Sequence, residues 1–116
     1  MNGIVCGASR GIGFGIAKVL SQNNHKIIIT SRVEENLKNA SFNLNKCSYI
    51  VSNLDEEKQR ENLIKKSIKI LKEINFLIIN TGGPPHGNFF STDLKKYDFA
   101  YNSLLKSTIH LIKLTV

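Results

Sequence analysis

Three glycines stand at positions 7, 11 and 13 in Gly7-Ala8-Ser9-Arg10-Gly11-Ile12-Gly13, between a short apolar run and the start of a helical pattern. The chemistry open to such a bend is the binding of an anion. A chain that turns sharply from a strand into a helix needs a residue free of the usual backbone limits, and Gly7 supplies it. Gly11 and Gly13 withhold side chains where backbone meets ligand and where helix meets strand. The loop's remaining members, Ser9, Arg10 and Ile12, lie beside free N–H groups at the helix start. Those groups, with the helix dipole behind them, favour the diphosphate of a dinucleotide. No Gly-Lys-Ser/Thr follows, so the loop is not that of the common nucleoside triphosphatases.

Other chemistry-bearing residues are sparse. Imidazole is the side chain best suited to acid–base work at neutral pH, but neither His86 nor His110 has a nucleophile or carboxylate near it in sequence, so His86 reads as loop surface and His110 as an exposed helix face. Three scattered histidines and two distant cysteines match no metal-ligand spacing. Cys6 and Cys47 sit in apolar, strand-like settings and read as buried free thiols. The run Asn80-Thr81-Gly82-Gly83-Pro84-Pro85 tolerates no regular element and reads as a functional loop.

The elements that must position these residues alternate. Gly3–Cys6, Lys26–Ser31, Cys47–Val51 and Phe76–Ile79 have strand character, and the core of the second, Ile27-Ile28-Ile29-Thr30, suits a strand covered on both faces. Between them lie helical patterns: Ile12–Gln22, with Ile12, Ile16, Val19 and Leu20 on its inner stripe; a short Glu34–Ala40; and a long helix from an Asp55 cap to about Lys72. The last has an inner stripe of Leu63, Ile64, Ser67, Ile68 and Leu71 and an outer face of Lys58, Arg60, Lys65, Lys66, Lys69 and Lys72. A final helix starts from an Asp93 cap and is still apolar at Val116, so the chain reads as cut rather than finished.

This alternation predicts one α/β domain over residues 1–116 with a parallel sheet. With 41% apolar and 22% charged residues, the 116-residue chain is neither disordered nor fibrous. The net charge of +7 is spread over the wet faces of two helices, which argues against a nucleic-acid partner. The longest apolar run, Phe76–Ile79, is too short to span a membrane, and no signal-peptide layout opens the chain; the expected location is the cytoplasm.

The stretch CGASRGIG resembles the cofactor loop of the short-chain dehydrogenase/reductase family, whose glycines follow a Gly-x3-Gly-x-Gly spacing. The resemblance runs in order along almost the whole chain. Ile28-Ile29-Thr30-Ser31-Arg32 resembles the family's second strand, whose last residue selects the cofactor; Arg32, helped by Arg10, implies NADP(H) in preference to NAD(H). Ser52-Asn53-Leu54-Asp55 resembles the adenine-contacting segment, with Asn53 in place of the usual Asp. Asn80-Thr81-Gly82 resembles the Asn-Ala-Gly beside the nicotinamide ribose. Cys6 replaces a usual Thr and Ile79 a usual Asn.

The resemblance implies a three-layer, Rossmann-type doubly wound sheet of about four strands in the order 3-2-1-4, incomplete, with helices on both faces. It also implies carbonyl/alcohol hydride transfer on a small molecule, of the 3-oxoacyl-reductase kind. The catalytic Ser and Tyr-x-x-x-Lys of the family are absent: four residues after Tyr49, Tyr97 and Tyr101 come Asn53, Tyr101 and Leu105. The chain is therefore expected to be a fragment able to bind cofactor, without catalytic residues of its own. The alternative is a non-catalytic nucleotide-binding or oligomerisation module. The 93–116 helix resembles the family's interface helix, so its stripe Tyr97, Tyr101, Leu104 and Leu111 serves either pairing with a second copy or burial within one chain; the 76–79 strand edge is the other place open to association.

Overall fold

The β-branched run at Lys26–Ser31 forms the second strand of a four-stranded parallel sheet in the computed structural model of the chain, which describes residues 1–80, 88 and 90–116. The strands are β1 (Asn2–Cys6), β2 (Lys26–Ser31), β3 (Cys47–Val51) and β4 (Phe76–Ile78), in the order β3-β2-β1-β4. Ile4 pairs with Ile28 and Leu77, and Val5 with Ile29 and Ile78. Helices α1 (Gly11–Gln22), α2 (Glu34–Phe42) and α3 (Glu57–Leu71) follow the first three strands.

Both faces of the sheet are covered, which is why its central strands show no polar alternation. On one face Ile4, Cys6, Ile28 and Ile50 pack with Leu63, Ile64 and Leu71 of α3. On the other, Val5, Ile27 and Ile29 pack with Ala17 of α1 and with Leu37 and Ala40 of α2. The expected three layers and strand order are present.

Several side chains lie elsewhere than their spacing suggests. The buried stripe of α1 is Gly13, Ala17 and Ser21, while Ile12 is 76% exposed and Val19 57% exposed. Small residues at every fourth position let the helix approach the sheet closely, and the larger side chains are turned to its flanks. On α3, Ile68 is 47% exposed, whereas Arg60, expected on the wet face, is only 4% exposed. Asp55 does not cap α3: the cap position is Glu56, without a side-chain bond, and the Asp55 N–H donates to Asn53 Oδ1 at 3.0 Å.

Asp93 caps the last helical stretch as expected, its Oδ1 accepting from the Lys96 N–H at 3.0 Å. That stretch is divided, however. Helix α4 (Leu94–Ala100) leads into a π-helical segment at Tyr101–Lys106, then α5 (Ser107–Thr115). The hydroxyls of Ser107 and Thr108 donate to the carbonyls of Ser103 and Leu104, taking up oxygens near the widened turn. The change of winding breaks the anticipated apolar stripe: Leu111 is fully buried in the α3 face of the core, while Tyr101 is 54% exposed.

Candidate functional site

Beyond the carboxyl ends of β1 and β2, where doubly wound sheets leave a crevice, the chain forms an opening of about 490 Å³. That is within the size range of small-molecule sites. Its floor is the glycine bend. Gly7 adopts φ +63°, and a Cβ built there would stand 1.9 Å from the Asn80 carbonyl oxygen. The Gly7 N–H continues the sheet by donating to the Thr30 carbonyl at 2.9 Å. Gly7 accepts in turn from Asn80 Nδ2 at 3.2 Å, so the loop after β4 is clipped to the loop after β1.

Gly13 does not line the crevice. A Cβ on it would come within 2.1 Å of the Gly7 carbonyl oxygen, so this glycine sets how tightly α1 seats on the end of β1. Gly11 differs: it has φ +62°, and nothing lies within 4 Å of a Cβ built on it. Its missing side chain leaves room on the crevice side. Helix α1 begins there with no side-chain cap on its first N–H groups and no acidic residue in its first turn. Unpaired donors at a helix start are a ready anion cradle.

Of the residues singled out from sequence, Gly7, Ser9, Arg10, Gly11 and Ile12 border the crevice from the bend, Arg32 from the end of β2, Asn53 and Leu54 from the loop after β3, and Asn80 from the loop after β4. Thr81, Gly82 and His86 lie outside the described residues. Asn53 accepts from the Asp55 N–H through its Oδ1, and its own N–H donates to Gln59 Oε1 at 2.6 Å, which leaves the side-chain NH2 to face a ligand.

Thr30 and Ser31, beside Arg32 in the second-strand motif, also border the crevice, as do Asn36, Phe99 and Ser103, which no motif contains. Asn36 follows from the placement of α2, whereas Phe99 and Ser103 arrive through the unforeseen π segment. The Thr30 and Ser31 hydroxyls are buried without a hydrogen-bond partner among the described residues. Buried polar atoms left unpaired beside a polar opening suit a bound group with matching donors or acceptors. Together with the uncapped helix and two guanidiniums, they fit a dinucleotide.

Cys6 is fully buried, and burial pushes its thiol up to about 12; Cys47 is raised to about 11 by burial, against the lowering effect of the Ile29 backbone. Neither thiol is a nucleophile at neutral pH. His110 is not on an open face, because its Nδ1 accepts from Arg60 Nε at 2.9 Å.

A family model described as short chain dehydrogenase matches residues 2–116. The chain is 26% identical over 114 residues to an uncharacterized oxidoreductase of Staphylococcus epidermidis, covering 97% of this chain and 50% of that protein. It is 29% identical over 98 residues to short-chain dehydrogenase reductase 5 of Arabidopsis thaliana, covering 82% and 38%. Dehydrogenase/reductase SDR family member 2, mitochondrial, of Homo sapiens is 27% identical over 114 residues, at 94% and 41% coverage. The chain thus spans half or less of these relatives. Among solved structures, an actinorhodin polyketide ketoreductase variant with NADPH superposes with a TM-score of 0.93 at 19% identity, over 98% of this chain and 45% of that one. The Pseudomonas aeruginosa RhlG/NADP active-site complex gives 0.91 at 20% identity, over 98% and 46%.

Proposed function

Because this chain belongs to the short-chain dehydrogenase family, we propose that its crevice binds a nicotinamide dinucleotide, NADP(H) in preference to NAD(H). The amino end of α1, from Arg10 to Ile12, receives the diphosphate. Arg32 and Arg10 pair with a 2'-phosphate by charge and fork geometry. The Asn53 amide and Leu54 take the adenine, and Asn80, with Thr81 and Gly82, the nicotinamide ribose. The bound cofactor supplies a hydride to a carbonyl carbon or removes one from an alcohol.

One observation carries this reading: the uncapped start of α1 at Gly11 opens on the crevice. NADPH and NADH titrations of the purified chain test it, with tighter binding of NADPH as the expected result. Arg32→Ala should weaken NADPH by about tenfold, the value of one charge-assisted contact, and leave NADH nearly unchanged. Failure of both nucleotides to bind at millimolar concentration refutes the proposal.

Carbonyl/alcohol oxidoreduction on a small molecule, of the 3-oxoacyl-reductase kind, is the activity proposed for the whole protein. Within these 116 residues no Tyr precedes a Lys by four positions, so nothing here matches the family's proton-transfer pair. That observation favours a second reading, in which the chain binds nucleotide without turnover or serves as an association module. Among the described residues no helix is long and apolar enough to cross a membrane. A cytoplasmic setting is part of the same proposal.

A further inference from the structure

Arg60 is a buried cation on a helix whose pattern assigns it to water. Its Nη1 donates to the Leu54 carbonyl at 2.7 Å and its Nε to His110 Nδ1 at 2.9 Å. Among the described residues no carboxylate pairs with it. A guanidinium withdrawn from water is retained only where its donors are met by well-placed acceptors. Here those acceptors belong to two different elements: the loop after β3, where Leu54 borders the crevice, and α5.

The geometry also decides where the imidazole hydrogen sits. Because Nδ1 accepts from Arg60, the ring hydrogen is on Nε2, which points towards Glu61 with Oε1 4.0 Å away. Glu57 completes a group whose ligand-type atoms all lie within 4.8 Å of one another. With one nitrogen engaged by Arg60 and the other protonated, the ring offers no lone pair to a metal ion, so the trio is not read as a metal site.

We propose that Arg60 is a positioning residue for the adenine-side wall of the crevice, and that protonation of His110 releases its grip; this rests on the nucleotide reading above. Arg60, Glu57 and Glu61 face the ring from α3, while Lys106 and Lys113 lie one turn away along its own helical stretch. A second ring proton occupies the Nδ1 lone pair. The imidazolium is then repelled by the guanidinium and drawn to the two carboxylates. Arg60 loses one of its two anchors, and the Leu54 carbonyl loses a fixed donor. The crevice wall loosens as the medium acidifies.

NADPH affinity of the full chain between about pH 5 and pH 8 tests this in the native sequence and in His110→Asn, whose amide oxygen stands where Nδ1 does and gains no proton. The 2'-phosphate itself takes up a proton in this range, so the difference between the two proteins is the reading. The native chain should lose at least about fivefold more affinity on acidification than His110→Asn. Equal losses in the two overturn the proposal.

The Asp55 amide, bonded to the Leu54 carbonyl carbon, gives a readout independent of nucleotide. In 15N spectra of the nucleotide-free chain it should shift together with the His110 ring in the native sequence and stay fixed in His110→Asn. A stationary Asp55 signal through the native ring's titration overturns the clamp whether or not nucleotide binds. If nucleotide fails to bind while Asp55 tracks the ring, the clamp stands and the cofactor reading falls. Should His110→Asn fail to fold, the native spectrum decides alone.

Discussion

Methyl groups added at Gly13 and at Gly11 meet different surroundings. At Gly13 the new carbon would lie 2.1 Å from the Gly7 carbonyl oxygen, so α1 has to lift from β1; Gly13→Ala should cost about 2 kcal/mol in denaturant unfolding. At Gly11 the space is open and the penalty comes only from φ +62°, partly offset by a stiffer unfolded chain, for about 1 kcal/mol. Gly11→Ala should instead suppress NADPH binding, and a larger stability loss at Gly11 than at Gly13 would contradict this division. The thiols give a pH prediction. In the unfolded chain Cys6 ionises near 9.0, whereas burial delays it to about 12 in the fold. The unfolded state thus loses its proton first, and stability contributed by the buried thiol is whole below about 9 and declines as pH rises towards 12. Cys47, raised to about 11, acts in the same direction. Urea midpoints measured from neutral to alkaline pH should fall across that window, and fall less in Cys6→Ala, measured against its own neutral value.

At the level of elements, the strands were the most legible feature, because runs such as Ile27–Ile29 can be stable only between two apolar layers. Helix faces were harder. Counting large apolar residues misplaced Ile12 and Val19, since the inner face of α1 is made of its smallest side chains. Arg60 was misplaced because charge alone does not reveal that a carbonyl and an imidazole wait inside. For the site, the bend and Arg32 could be read from local sequence, but Phe99 and Ser103 reach the crevice through a widened turn whose only forewarning is the Ser107-Thr108 hydroxyl pair. The end of α3 has its own signature: Lys72 adopts φ +71°, a conformation in which a side chain is strained. Lys72→Gly should therefore raise unfolding stability by about 1 kcal/mol, read from chemical denaturation, without altering nucleotide affinity. A destabilised variant would show that the lysine stem makes up the difference.

On the scale of the whole molecule, two apolar layers clamp one sheet, and the crevice opens where successive connections leave on opposite faces. The purified chain should melt at a higher temperature with NADPH yet reduce no carbonyl in a substrate panel, because ligand that binds only the folded form stabilises it without supplying proton transfer. Measurable turnover would mean that another group does the work of the missing pair. The widened turn at Tyr101–Lys106 bears on the same architecture, since it sets the rotational phase between Phe99 and Leu111. Regular winding at unchanged length would turn the segment through about 100° more than its widened form and so swing everything before it about the axis. Either the aromatic wall leaves the crevice or the leucine leaves the interior. The surplus residue and the slower winding thus offset each other: the loss of one residue together with a return to regular winding leaves both side chains in place, whereas tightening the turn at full length does not.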